Sequence, residues 1–119
     1  MRNDETCLLD MLIAARRVKQ FTTGMTRADF AQSELHQSAV IRELQVLGEA
    51  ARLVSAGAKS ATPQIPWADI SGMRNRIIHE YFRVSLDVVW NVVTSEITPL
   101  IAVLEGLVPP EDPEPNAFP

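Results

Sequence analysis

The sequence predicts an all-α fold, an antiparallel up-and-down bundle of four to five helices, from three observations. Apolar residues recur at intervals of three and four along every long segment. No stretch alternates apolar and polar residues with the β-branched enrichment that is typical of strands. The 119 residues, 46% of them hydrophobic, are enough for one hydrophobic core, and short connectors between the predicted helices favour antiparallel neighbours.

Local signals place the ends of the predicted helices. Gly24 is positioned to end the first helix in a left-handed conformation, and Thr26 followed by Asp29 resembles a capping box for a short helix. Ser85 can cap the last main helix, inside which Pro99 removes a backbone donor, so we expect a kink or a division there. The main helices are predicted over about residues 4–23, 34–56, 67–79 and 86–107.

One glycine lies in the middle of the second predicted helix. Gly48 costs about 1 kcal/mol of helix propensity relative to alanine, which suggests that another helix approaches closely at this point. We expect the neighbouring Glu49 to be an isolated, solvated acid.

The chain is predicted to form one helical domain, residues 1–107, followed by a tail, residues 108–119. The tail contains five prolines in twelve residues and has the composition of an acidic, extended segment without regular structure. We expect a disordered end rather than a segment that covers a basic groove or contacts a partner.

The sequence favours neither a signal peptide nor a membrane-spanning helix. The N-terminus lacks the basic start and long apolar middle of a signal peptide, and no uninterrupted apolar run approaches the ~20 residues of a membrane-spanning helix. Cys7 is the only cysteine, which excludes an internal disulfide; we expect a small buried hydrophobe rather than a reactive thiol. We therefore expect a soluble, cytoplasmic protein that does not bind membranes.

The net charge of −4 is unevenly distributed along the chain. Residues 59–83 carry four basic and two acidic groups, a net +2, whereas residues 84–119 carry six acids and no Lys or Arg. This distribution is compatible with a local anion-binding site and equally with a solvated charged face.

The stretch RNRIIHEYF, residues 74–82, contains the candidate site. Arg74 and His79 are five residues apart, about 140° around a helix, so they can share a cleft only at a helix end or across a twofold axis. Asn75 lies four residues before His79 and is expected to orient its ring. An imidazole that exchanges a proton near neutral pH and an arginine that holds a phosphate suit attack of an RNA 2′-hydroxyl on the neighbouring phosphate. From the residues alone, Tyr81 is either a base- or phosphate-binding side chain or a half-buried structural one.

Other kinds of site have little support in the sequence. His36, His79 and Cys7 are far apart, and no CxxC, HxxxH, Gly-rich phosphate loop or GxSxG motif is present. We expect no metal and no cofactor, and we place His36 at the surface.

Two segments, IPWADISGMRNRIIHEYFRVSLDVVW (residues 65–90) and LGEAARLV (residues 47–54), resemble the HepT-like members of the HEPN superfamily. These proteins are the toxin halves of bacterial and archaeal toxin–antitoxin pairs, of the type VII class. The family motif is an Arg, four residues, a His, one residue and a Tyr, which matches Arg74, His79 and Tyr81. The resemblance covers most of residues 1–107.

The resemblance implies a homodimeric helical bundle that acts as a metal-independent endoribonuclease, with two copies of the motif lining one cleft. By the same resemblance, His79 would be the general acid/base, Arg74 would bind the scissile phosphate, and Asn75 would support the geometry. The family's antitoxin is a minimal nucleotidyltransferase that in some pairs adds AMP to the motif tyrosine, so Tyr81 is the expected modification site.

Two other functions remain open from the sequence. One is a non-catalytic helical partner of a nucleotidyltransferase, which binds a nucleotide or RNA through the motif without cutting it. The other is a structural dimerisation module, in which Arg74 and His79 matter only for stability.

Overall fold

The computed structural model describes residues 3–109 and contains, within that range, helices and turns but no strand. The all-α prediction is therefore confirmed. A 3₁₀ turn (Tyr81–Arg83) follows α5, and a π-helical turn (Val92–Glu96) joins α6 to α7. The α-helices are α1 (Asp4–Phe21), α2 (Arg27–Ala31), α3 (Glu34–Arg52), α4 (Ala56–Ala61), α5 (Trp67–Glu80), α6 (Leu86–Asn91) and α7 (Ile97–Leu107).

The predicted signals at the start of the chain are confirmed. Gly24 adopts a positive φ of 75°, the left-handed conformation that stops the chain from continuing α1. The Thr26 side chain accepts a hydrogen bond from the Asp29 N–H, and the Asp29 carboxylate accepts one from the Thr26 N–H. This reciprocal capping box starts α2.

The predicted end of the second main helix is wrong, because α3 stops at Arg52 and a separate short helix, α4, follows. The Ser55 hydroxyl caps α4 by accepting a hydrogen bond from the Ala58 N–H. The Asp4 carboxylate of α1 accepts hydrogen bonds from the Ser55 N–H at 2.8 Å and from its hydroxyl at 2.7 Å. A contact between distant parts of the chain thus fixes the break, and these hydrogen bonds lower the pKa of Asp4.

Pro99 divides the last helical stretch as predicted, through a π turn rather than a break. The Ile97 N–H bonds to the Val92 carbonyl, five residues earlier. A proline has no N–H and its ring crowds the carbonyl four residues before it, here that of Ser95, which lies within the π turn. The widened turn lets the helix continue.

The core is built around α1, which packs against both α3 and α7. Arg17, late in α1, pairs with Glu43 in the middle of α3, while Asp4 at the start of α1 reaches Ser55 beyond the end of α3, so α1 and α3 are antiparallel. Helices α1 and α7 are also antiparallel, because Lys19 donates to Thr98 and Arg16 to Glu105. The main core side chains of these three helices are Cys7, Met11, Leu12, Ala15, Val18, Val40, Leu44, Leu47, Ala51, Ile97, Leu100 and Leu104.

Two predicted environments can be compared with the structure. Cys7 is buried, as expected. His36 is only half exposed, because its Nδ1 lies 2.6 Å from the Ser33 hydroxyl that caps α3. The predicted tail falls, from residue 110 onward, outside the described residues.

The helical stretch Leu86–Leu107 is long and apolar enough, by length and composition, to cross a membrane. Three acids, Asp87, Glu96 and Glu105, interrupt this stretch, so it is not the continuous apolar run described above. Core helices of soluble proteins pass the same test; in this stretch Val89, Ile97, Leu100 and Leu104 are buried and most other residues are not.

Leu104→Ala should destabilise the fold by about 2–5 kcal/mol, because the side chain is fully buried between helices and its removal leaves a cavity. Leu35→Ala is the matched control: this leucine is 77% exposed, and its truncation should change stability by less than about 0.5 kcal/mol. Urea unfolding of both variants measures the difference. Equal losses would show that α7 does not pack as described.

Candidate functional site at the end of α5

The candidate site lies where α5 gives way to the 3₁₀ turn. Helix α5 ends at Glu80, Tyr81 begins the turn, and Ser85 then caps α6 by accepting a hydrogen bond from the Val88 N–H. His79 therefore lies at a helix end, in the last turn of α5, whereas Arg74 and Asn75 lie nearer the middle of that helix.

The Arg74 guanidinium is held by two side chains. Its Nε donates to Glu49 Oε1 at 2.8 Å, and its Nη1 donates to Asn75 Oδ1 at 3.0 Å. The second Glu49 oxygen lies 3.7 Å from Nε of Arg52. One carboxylate of α3 thus lies between two arginines, one from α5 and one from its own helix.

The close approach predicted at Gly48 is confirmed. A β-carbon built on Gly48 would lie 2.4 Å from Arg74 Cβ and 2.8 Å from Arg74 Cγ, distances that real side chains do not tolerate. The aliphatic part of Arg74 therefore packs directly on the backbone of α3, and its side chain is only 23% exposed.

The expectation that Glu49 is an isolated, solvated acid is wrong. The hydrogen bond from Arg74 lowers the pKa of Glu49 below its ordinary value of 4.5, and the charges of Arg74 and Arg52 add to this against the opposing effect of burial. Sequence reasoning missed Glu49 because its partner is 25 residues away. The neighbouring Gly48 was the available signal, since a helix that approaches Gly48 also approaches Glu49.

His79 and Tyr81 are not joined to this network within one chain. His79 is exposed in the last turn of α5, and its ring makes no hydrogen bond to any residue in the range 3–109. The expected Asn75–His79 interaction is absent there, because the Asn75 amide oxygen accepts from Arg74 instead. The structure brings Arg74 and Asn75 together and leaves His79 and Tyr81 apart from them.

Apolar side chains beside His79 are unusually exposed. Tyr81 is 38% exposed, Phe82 is 96% exposed, and their rings meet edge to face with centroids 5.3 Å apart. Ile78 is exposed as well. We call Ile78, Tyr81 and Phe82 the aromatic patch.

A groove of about 490 Å³ runs along a different side of α5. Met73, Arg76 and Glu80 face it from α5, Leu47 from α3 and Val88 from α6. Arg74, Asn75, His79 and Tyr81 do not line it. In the part of the chain that the structure describes, no three His, Cys, Asp or Glu side chains are grouped so as to hold a metal ion.

Fold and site together define a class: a small all-helical domain with an arginine, an amide and an imidazole along one helix and a phenol in the turn that follows it. The family described as ribonuclease HepT-like matches residues 11–107, and the chain belongs to this family. The resemblance found in the sequence is thereby confirmed.

Relatives of this chain carry ribonuclease names. A Thermococcus cleftensis protein named "Probable ribonuclease HepT" is 34% identical over 89% of this chain and 96% of its own length. Two Methanocaldococcus jannaschii proteins, whose names both begin "Putative RNase", are each 31% identical to this chain. The matches cover 85% and 81% of this chain and 84% and 88% of the relatives' own lengths. No solved structure matches the chain significantly.

The Glu49–Arg74 pair should stabilise the fold at neutral pH and lose this effect in acid. A carboxyl whose pKa is lowered on folding contributes stability that is complete above its unfolded pKa, about 4.5, and is lost as the pH falls through the folded value. The difference in unfolding free energy between wild type and Glu49→Gln should therefore be constant above about pH 5 and shrink below about pH 4.5. Urea unfolding at a series of pH values measures it.

The same substitution in an Arg74→Ala background is the control. It should show a much smaller change with pH, because only Arg52 then remains near the carboxylate. Identical pH profiles in the two backgrounds would mean that Arg74 does not lower the pKa of Glu49.

Proposed function

We propose that this protein is the toxin of a toxin–antitoxin pair, a metal-independent endoribonuclease that acts as a homodimer in the cytoplasm. One observation carries the proposal: in a chain of the ribonuclease HepT-like family, Arg74 is fixed by Glu49 and Asn75, has several N–H groups that bond to no residue in the range 3–109, and is close in sequence to an exposed His79. The domain that carries this activity is proposed to be residues 1–107.

The proposed reaction needs a proton acceptor, a proton donor and a cation. The RNA 2′-oxygen attacks the adjacent phosphorus, the bond from phosphorus to the 5′-oxygen breaks, and the products are a 2′,3′-cyclic phosphate and a free 5′-hydroxyl. His79 takes the proton from the 2′-hydroxyl or gives one to the leaving oxygen. Arg74 binds the non-bridging oxygens and stabilises the charge that grows on them, and Asn75 supports Arg74.

A homodimer would supply a second exposed imidazole, which one chain lacks. A single chain offers one exposed imidazole, and His79 is not bonded to Arg74. Two motif copies across a twofold axis would place two imidazoles, a base and an acid, in one cleft. The exposed Tyr81 and Phe82 rings, which contact each other and follow His79 closely in sequence, support this arrangement, because exposed apolar surface marks interaction sites.

Tyr81 is the proposed point of control by a nucleotidyltransferase antitoxin. It is the only tyrosine of the chain, and its side chain is accessible at the end of α5. Transfer of AMP to its hydroxyl would form a phosphodiester and release pyrophosphate from ATP. The added phosphate would pair with an arginine such as Arg74, occupy the position of the substrate phosphate and block the cleft.

His79→Ala should lower the rate of RNA cleavage by roughly 10²–10⁴-fold, because it removes the proton-transfer group. Its melting temperature should be unchanged, since the ring is exposed. His36→Ala is the matched control and should cleave like the wild type. Single-turnover cleavage of total cellular RNA measures all three proteins.

Two outcomes would contradict the ribonuclease proposal. One is full cleavage by His79→Ala. The other is a folded wild-type protein that binds RNA without cutting it and that loses binding in Arg74→Ala, which would support the non-catalytic alternative.

Co-expression with a neighbouring nucleotidyltransferase gene should add the mass of one or more AMP groups to the peptide that contains Tyr81 and abolish RNA cleavage. Tyr81→Phe lacks the acceptor hydroxyl and should stay unmodified and active. Intact-mass and peptide mass spectrometry with a cleavage assay test this. Loss of activity without any mass change would mean that the antitoxin acts by binding alone.

A further inference from the structure

We propose that Glu49 is a positioning residue for Arg74, and that the bare backbone at Gly48 is what permits the arrangement. This inference rests on the ribonuclease activity proposed above, in which Arg74 contacts the scissile phosphate. Glu49 itself does not contact substrate; it acts through the arginine.

The hydrogen-bond inventory of Arg74 defines the role. A guanidinium has five N–H groups. One, on Nε, goes to Glu49, and one, on Nη1, goes to Asn75. The second Nη1 hydrogen and both Nη2 hydrogens have no acceptor among residues 3–109. Glu49 and Asn75 thus hold one part of the group and leave a fork of donors for phosphate oxygens.

The stem of the arginine is fixed as well as its head. Arg74 Cβ and Cγ lie where a side chain at Gly48 would otherwise be. A long, flexible side chain that packs against a helix backbone at its base and is hydrogen-bonded at its tip has already lost most of its rotamer freedom. Binding phosphate then costs less entropy, which is the benefit of preorganisation.

The charge of Glu49 would by itself oppose binding of an anion. Arg52 offsets this, because its Nε lies 3.7 Å from the second Glu49 oxygen. Two arginines and one carboxylate leave a net charge of +1 on the three side chains. The carboxylate therefore orients Arg74 without cancelling the positive charge that the phosphate requires.

Two substitutions at Glu49 separate positioning from charge. Glu49→Ala removes the acceptor and should lower kcat for RNA cleavage by roughly 10–100-fold, because the guanidinium is no longer held in place. Glu49→Gln keeps a side-chain oxygen that can accept from Arg74 Nε, so it should retain kcat within about threefold and lower KM through the lost negative charge. A kcat for Glu49→Ala equal to that of the wild type would overturn the inference, as would equal losses in both variants.

Gly48→Ala tests the packing of the stem. The added methyl must displace Arg74, so kcat should fall by about as much as in Glu49→Ala. The matched control is Gly72→Ala, a glycine on α5 whose added β-carbon meets nothing within 4 Å; it should cleave like the wild type. If Gly48→Ala fails to fold, the two Glu49 variants still decide the question.

A measurement without RNA distinguishes failure of this inference from failure of the proposed function. In the folded protein, the Arg74 Nε–H should give a distinct NMR signal that exchanges slowly with water, assigned by its absence in Arg74→Lys. The signal should be lost in Glu49→Ala and kept in Glu49→Gln. A wild type that shows this pattern but cuts no RNA would count against the ribonuclease alone, whereas fast exchange in the wild type would refute the positioning role.

Discussion

The placement of the site depends on one steric constraint, the absence of a side chain at Gly48. Helix α5 can lie against α3 at this level only because the Arg74 stem occupies the space that a β-carbon would fill. That contact brings Arg74 Nε within 2.8 Å of the Glu49 carboxylate on the same helix turn as the glycine. Helix α3 is in turn held by the buried face of α1. Arg74 is thus anchored, through one small residue, to α3 and to the core that α3 forms with α1.

The electrostatics of the site follow from this packing. Glu49 is a partly exposed carboxylate between two arginines, so its pKa is lowered and it stays ionised at neutral pH. Because one carboxylate is shared by two guanidiniums, the group keeps a net positive charge. An isolated Glu–Arg pair would be neutral and a poor phosphate site. Asn75 completes the arrangement with an uncharged acceptor, which holds Arg74 without reducing that charge further.

The His79–Tyr81 end of the motif is exposed, in contrast to the Arg74 end. His79 is solvent-exposed, and the aromatic patch that flanks it in sequence exposes nearly all of Phe82 and part of Ile78 and Tyr81. The Arg74–Asn75 half of the motif is therefore held by the hydrogen bonds of Arg74 to Glu49 and Asn75, whereas His79 and Tyr81 are exposed. This division would suit the composite site proposed above, in which each chain would supply a fixed arginine and present an imidazole to a second copy.

Periodicity and capping signals in the sequence were sufficient to predict the all-α class. They also predicted the left-handed Gly24, the capping box at Thr26 and the end of α5 near His79, because each of these features depends on neighbours within a few residues. The break between α3 and α4 was missed, since Asp4 fixes it from across the fold. Glu49 was missed for the same reason. Helical spacing predicts that Asn75 contacts His79, four residues later, but the Asn75 amide oxygen accepts a hydrogen bond from the adjacent Arg74 instead. The sequence by itself determined that an arginine, an amide, an imidazole and a phenol lie together at positions 74–81, because this depends only on the order of residues along the chain. Only the tertiary structure decided which of them meet, because the approach of α5 to α3 is set by packing between segments 25 residues apart, which no local pattern encodes.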